Sequence, residues 1–126
     1  MKYLLDTHIL LWSLNNDRRL KSSIKKILVD PEQVIYISVI SAWELSIKLK
    51  TNPDFKLRTS IKEVFNISGF EILPVFFEHA LAIGKLPLYH KDPFDRILIA
   101  QALAENLTLV TSDQKIWKYK VKIIKA

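Results

Sequence analysis

DPFDRILIAQALAENLTLVTSD, residues 92–113, is the stretch whose reading decides the fold. Asp92 stands in a helix N-cap position, Pro93 at the first helical position, where its missing N–H is not needed, and Asp95 at the third. The helix they open leads into an apolar run, Leu107 to Thr111, that reads as a buried strand, and Asp113 stands two residues beyond Thr111. Four further runs of this kind lie outward from it. Lys2 to Leu5 is closed by Asp6, and Val34 to Ile37 is bounded by Pro31 and Ser38; Phe70 to Val75 and Val121 to Ile124 complete the set.

The segments between the runs are long enough for one or two helices each. Leu20, Ile24, Ile27 and Leu28 recur at helical spacing, as do Leu45 and Leu49, then Ile61, Val64 and Phe65. Gly69 falls where a helix C-cap is expected, and Pro31, Pro53 and Pro87 fall in connections. Strands alternating with helices predict an α/β fold with a mostly parallel sheet of about five strands, covered by helices on both faces. In such sheets a site forms beyond the carboxyl ends of the strands, where the strand order reverses.

The chain of 126 residues is read as a single domain, 1–126, with no repeat or compositional break. Apolar residues at 49% and charged residues at 25% exclude disorder as its main state. Its two glycines, Gly69 and Gly84, lie too far apart for a G-x-G-x-x-G turn or a P-loop. The absence of cysteine excludes disulfides, thiolate zinc sites and a cysteine nucleophile. Asp6 interrupts the first apolar run before it could form a signal-peptide core or a membrane span, so a cytoplasmic protein is expected. A net charge of +6 favours polyanionic partners.

Asp6 ends the first strand and Asp113 follows the fourth, so both carboxylates are expected at one edge of the sheet. Glu44, in Ser41-Ala42-Trp43-Glu44 after the second strand, lies on the same side, and Asp95 opens the helix before the fourth. Each acid also has a purely structural reading: Asp92 as a cap, Asp95 as a complement to the helix dipole, Asp113 as a cap for a turn beginning at Gln114, and Glu44 paired with Lys48. Asp6 resists such a reading, because a carboxylate at the buried edge of a sheet needs a cation or a donor. Four acids converging there would raise one another's pKa unless a positive charge sat among them, which a divalent metal supplies.

Carboxylate oxygens without cysteine or a histidine pair favour Mg²⁺ or Mn²⁺ over zinc. His8, His79 and His90 lack the H-E-x-x-H spacing and are read as surface or packing residues, and no G-x-S-x-G elbow is present. An acidic pocket in a basic protein predicts metal-assisted hydrolysis of a polyanion. Arg18, Arg19, Lys21, Lys25 and Lys26, read as lying on one helix, are candidate phosphate holders, with Lys48, Lys50 and Arg96; for any one of them a solvated face is the competing reading.

Leu-Leu-Asp-Thr-His at residues 4–8, Ser-Ala-Trp-Glu at 41–44, His-Lys-Asp-Pro-Phe-Asp-Arg at 90–96 and Leu-Val-Thr-Ser-Asp at 109–113 resemble the PIN-domain family, in particular its VapC-type toxin ribonucleases. The resemblance spans nearly the whole chain. It implies a three-layer α/β/α domain and an endoribonuclease using Mg²⁺ or Mn²⁺. Asp6, Glu44, Asp95 and Asp113 fall on the family's four acids. Asp92 and Arg96 belong to the D-P-F-D-R variant of one branch, with Arg96 facing substrate. Thr7 and Thr111 stand beside acids as supporting residues that orient water or ligands. The implied partners are an RNA substrate, a second copy of the chain in a homodimer, and a cognate antitoxin whose C-terminal segment wraps the toxin. Trp12, Trp43 and Trp117 are expected in the core.

Two other classes compete with this reading. A phospho-acceptor receiver domain needs an aspartate after the third strand, and Phe70 to Val75 is followed by none. A PIN-like module that binds RNA without cutting it is the alternative that metal binding separates from the nuclease.

Overall fold

A computed structural model describes all of residues 1–126. Its strands are β1 (Lys2–Leu5), β2 (Val34–Ser38), β3 (Glu71–Leu73), β4 (Thr108–Thr111) and β5 (Ile123–Lys125). Its helices are α1 (Thr7–Asn15), α2 (Ser22–Val29), α3 (Val39–Thr51), α4 (Ile61–Ser68), α5 (Phe77–Ile83) and α6 (Pro93–Ala104), with a 3₁₀ turn at Ile116–Lys118. The five strands form one sheet in the order β3-β2-β1-β4-β5, every neighbouring pair parallel.

Side chains alternate across the sheet and so divide the core in two. Tyr3, Leu5, Ile35, Ile37 and Val110 face one side, under Ile9 and Leu10 of α1, Ile24 of α2 and Val64 and Phe65 of α4. Leu4, Leu73 and Leu109 face the other, against Leu98, Ile99 and Ala102 of α6 and Ile116 of the 3₁₀ turn. β4 is buried at all four positions, as expected of a parallel strand covered on both faces. This is the expected α/β/α sandwich.

Local signals account for most of the element ends. Ser60 caps α4 through Glu63 N–H, and Gly69 closes it at φ 68°. Asp92 accepts from Phe94 and Asp95 N–H at 2.9 and 3.1 Å, with Pro93 opening α6. The third and fifth strands are shorter than the apolar runs suggest. Pro74 has no N–H to extend β3, and β5 begins only at Ile123. No helix is long and apolar enough to cross a membrane.

The strand order fixes the site. The chain moves outward from β1 to β2 and β3, then returns to place β4 on the opposite flank of β1. Leu5 pairs with Val110, and Asp6 N–H donates to Val110 C=O at 3.1 Å, so Asp6 and Thr111 emerge side by side from the carboxyl edge.

Candidate active site

Asp6 caps α1 by accepting from Ile9 N–H at 2.9 Å, and its other oxygen accepts from the Thr111 hydroxyl. With only 4% of its surface exposed, its carboxyl pKa is pushed up, chiefly by burial and against the pull of those two hydrogen bonds. The donors that a buried acid at this place requires are therefore a hydroxyl and a backbone amide. The Thr111 oxygen in turn accepts from Asp113 N–H at 3.1 Å, which joins the first acid to the fourth.

Thr7 makes the corresponding link to α3. Its hydroxyl donates to Glu44 Oε1 at 2.6 Å and lies 2.9 Å from Ser41 Oγ. Glu44 Oε2 faces Lys48 Nζ at 3.7 Å, so the expected i, i+4 pairing is present together with the contact to the site. The negative charge of Glu44 is one of the influences raising the Asp6 pKa.

Asp95 and Asp113 meet through a residue that spacing assigned to the surface or to packing. His90 Nε2 lies 2.7 Å from Asp95 Oδ2 and 3.1 Å from Asp113 Oδ2, so one ring nitrogen bridges the two carboxyl groups. Burial, then the charge of Asp92, push the Asp95 carboxyl up to about 7 against the opposing pull of His90. The other oxygen of Asp113 accepts from Lys115 N–H at 2.9 Å, so Asp113 also caps the turn that its bland reading predicted. Three of the acids thus form one network, from Asp6 through Thr111 to Asp113 and through His90 to Asp95, with the Glu44–Thr7 pair beside it.

Other expectations are corrected. Arg96, expected to contact substrate, spends its donors within the chain: its two terminal nitrogens donate to the carbonyls of Ile83, Leu86, Pro87 and His90 and to Tyr119 Oη. Asp92 serves as the α6 cap. Arg18, Arg19 and Lys21 precede α2, leaving only Lys25 and Lys26 of that basic group on the helix. Arg19 instead pairs with Asp17 at 2.8 Å, holding that carboxyl down at about 2. Trp43 is 57% exposed, edge-on to Phe94 with ring centroids 5.5 Å apart, while Trp12 and Trp117 are half-buried.

Of the remaining histidines, His8 is exposed and His79 is fully buried in a packing role. His90 is the residue that sequence reasoning passed over. The available signal was its place at the head of His-Lys-Asp-Pro-Phe-Asp-Arg, five residues before Asp95.

A family model described as the PIN domain matches residues 3–122. The chain belongs to the PIN domain family. Solved structures with the same fold include VapBC2 from Rickettsia felis bound to a DNA fragment from their promoter, at 22% identity over 99% of this chain and 98% of that one, TM-score 0.75. DNA-bound VapBC from Salmonella typhimurium is similar at 15% identity, with the same coverages and a TM-score of 0.68. VapBC-5 from Mycobacterium tuberculosis, a member of the VapBC family of toxin-antitoxin systems, is similar at 17% identity, again over 99% and 98%, with a TM-score of 0.62. No curated protein matches by sequence. In this PIN domain the acids cluster where β1 and β4 end.

Proposed function

We propose that this chain, a single PIN domain over residues 1–126, is a Mg²⁺- or Mn²⁺-dependent endoribonuclease, the VapC-type toxin of a type II toxin-antitoxin pair acting in the cytoplasm. The observation that carries the reading is the convergence of Asp6, Glu44, Asp95 and Asp113 on one sheet edge, in a PIN domain whose net charge is +6.

The donor set fits a divalent cation. Ligand atoms of His90, Asp95 and Asp113 lie within 4.8 Å of one another. Asp6 and Asp95 both have raised pKa values, chiefly because they are buried and in smaller part because other acids lie near them, so a bound cation would relieve both. Asp95 and Asp113 would hold the ion, with Asp6 and Glu44 completing its surroundings. A bound ion of this kind supplies Lewis acidity toward a phosphate oxygen and lowers the pKa of a water.

The chain's own residues supply the positioning. Thr111 and Ile9 N–H fix both oxygens of Asp6, so its carboxylate cannot rotate away. Thr7 fixes Glu44 Oε1, and Oε2, which Lys48 faces on one side, would orient an attacking water or receive its proton. Lys48, beside Glu44, and the lysines of α2 offer positive charge to the flanking RNA backbone. The resemblance to VapBC complexes supports a cognate antitoxin as partner, and a homodimer is carried over from the family resemblance.

The test is RNA cleavage by protein freed of any co-purifying partner, with Mn²⁺, with Mg²⁺ and with EDTA, beside Asp6→Asn and Asp95→Asn. Metal-dependent cutting lost in both variants is expected. RNA binding without cutting under any of these conditions would replace the nuclease with the non-catalytic RNA-binding module.

A further inference from the structure

We propose that His90 is a nitrogen ligand of the divalent ion at this site, aimed there by a clamp formed by Arg96 and Tyr119. The inference rests on the preceding reading that Asp95 and Asp113 hold such an ion.

Three observations lead to it. His90 is only 9% exposed, yet Nε2 has no partner other than the two carboxylates. The distances suit shared coordination: an octahedral ion with bonds of about 2.1 Å has neighbouring ligand atoms about 3 Å apart, close to the 2.7 and 3.1 Å that separate Nε2 from the two acids. The backbone that carries the ring is also held on both sides of its Cα. His90 N–H donates to Tyr119 Oη at 3.0 Å, and His90 C=O accepts from Arg96 Nη1 at 3.2 Å.

The clamp extends beyond His90. Tyr119 Oη donates to Pro87 C=O at 2.7 Å, and Arg96 reaches the Pro87, Ile83 and Leu86 carbonyls at 2.9, 3.1 and 3.3 Å. The connection between α5 and α6 is thereby strapped onto α6, one turn of which carries Asp95. A bidentate, planar guanidinium suits this work because its donors point in fixed directions. Arg96 and Tyr119 are positioning residues that act through His90.

A nitrogen donor changes the ion preference argued from oxygens alone. Imidazole favours first-row transition ions over Mg²⁺, so the mixed set binds Mn²⁺ in preference to Mg²⁺.

The test uses Mn²⁺ alone as probe on the full chain without RNA, so it does not depend on cleavage. Electron spin-echo spectroscopy of bound Mn²⁺ is expected to show ¹⁴N modulation that is lost in His90→Gln and kept in His8→Gln. The ratio of Mn²⁺ to Mg²⁺ affinity, from competition titrations, should fall about tenfold in His90→Gln. Tyr119→Phe should bind Mn²⁺ with weakened ¹⁴N modulation, and unchanged modulation there would remove the clamp. Mn²⁺ bound by wild-type protein without ¹⁴N modulation would overturn the His90 assignment while leaving the acid site intact, and that result needs no variant to fold. Failure of the wild-type chain to bind any divalent ion would overturn both the ligand assignment and the metal reading beneath it.

Discussion

Thr111 donates its hydroxyl hydrogen to Asp6 across the seam between β4 and β1, two residues 105 positions apart in sequence. The same oxygen accepts from Asp113 N–H, so one side chain orients an acid on each side of the seam. Thr111→Val keeps the shape and removes both contacts. The variant should lose about 1–2 kcal/mol of stability, because Asp6 stays buried with one donor fewer. It should also bind Mn²⁺ more weakly. Urea unfolding and a Mn²⁺ titration check the two effects, and unchanged metal affinity would show that Thr111 serves the fold alone.

Asp95 makes the metal-free protein sensitive to pH. Its carboxyl is raised from 3.8 in the unfolded chain to about 7 in the fold, so the folded state favours the protonated form. Its contribution to stability is full below pH 3.8 and is lost as pH rises to about 7. Asp95→Asn removes that loss. The variant should match wild type near pH 4 and exceed it by about 2 kcal/mol at pH 8, after discounting for residual solvent. Mn²⁺ at pH 8 should stabilise wild type far more than the variant. Unfolding curves at both pH values decide the matter; a variant less stable at pH 8 contradicts the raised pKa.

His79 belongs to packing. Its Nδ1 accepts from Phe76 N–H at 3.0 Å and its Nε2 lies 2.9 Å from Glu105 Oε1, tying the start of α5 to the end of α6. His79→Leu leaves that amide without a partner and should cost about 1–3 kcal/mol. Mn²⁺ affinity measured on the folded variant should not change. A large loss of affinity would mean that strain at α5 reaches His90.

Gly69→Ala tests backbone conformation in isolation. A Cβ at Gly69 meets nothing within 4 Å, so no clash contributes, and the left-handed φ of 68° alone sets the penalty. The expected loss is about 1 kcal/mol, read from the thermal midpoint with metal affinity as control. Equal stability would indicate that α4 ends in another way.

What the sequence made legible follows from range. The β1 and β4 runs, the Asp92-Pro93 helix start and the Gly69 cap depend on neighbours in the chain, and they appear as expected. Asp6 and Asp113 were legible as strand-end residues, Asp95 as a helix-start residue and Glu44 as lying on the same side after the second strand. His90 was not, because its role requires the connection after α5 to fold back under carbonyl contacts from Arg96, together with Tyr119 far along the chain. Trp43 misled for a related reason. α3 buries Ile40, Ser41 and Leu45, which turns Trp43 and Ile47 outward, and composition alone does not record which face of a helix is covered. Arg18 and Arg19 read as helical by continuity, but Asp17 accepts from Arg19 N–H at 2.9 Å and folds that segment into a turn.

The placement of β1 at the centre of the sheet has a consequence for biosynthesis. Its register partners on one side, in β2, are translated soon after it, but those on the other, Thr108 to Val110, follow only after β2, β3 and α6. A chain still on the ribosome holds Asp6 without Thr111, and Asp113 and Asp95 have yet to be joined to it. The acidic centre therefore comes into being only after β4 and Asp113 have emerged, so a product cut short before them lacks it.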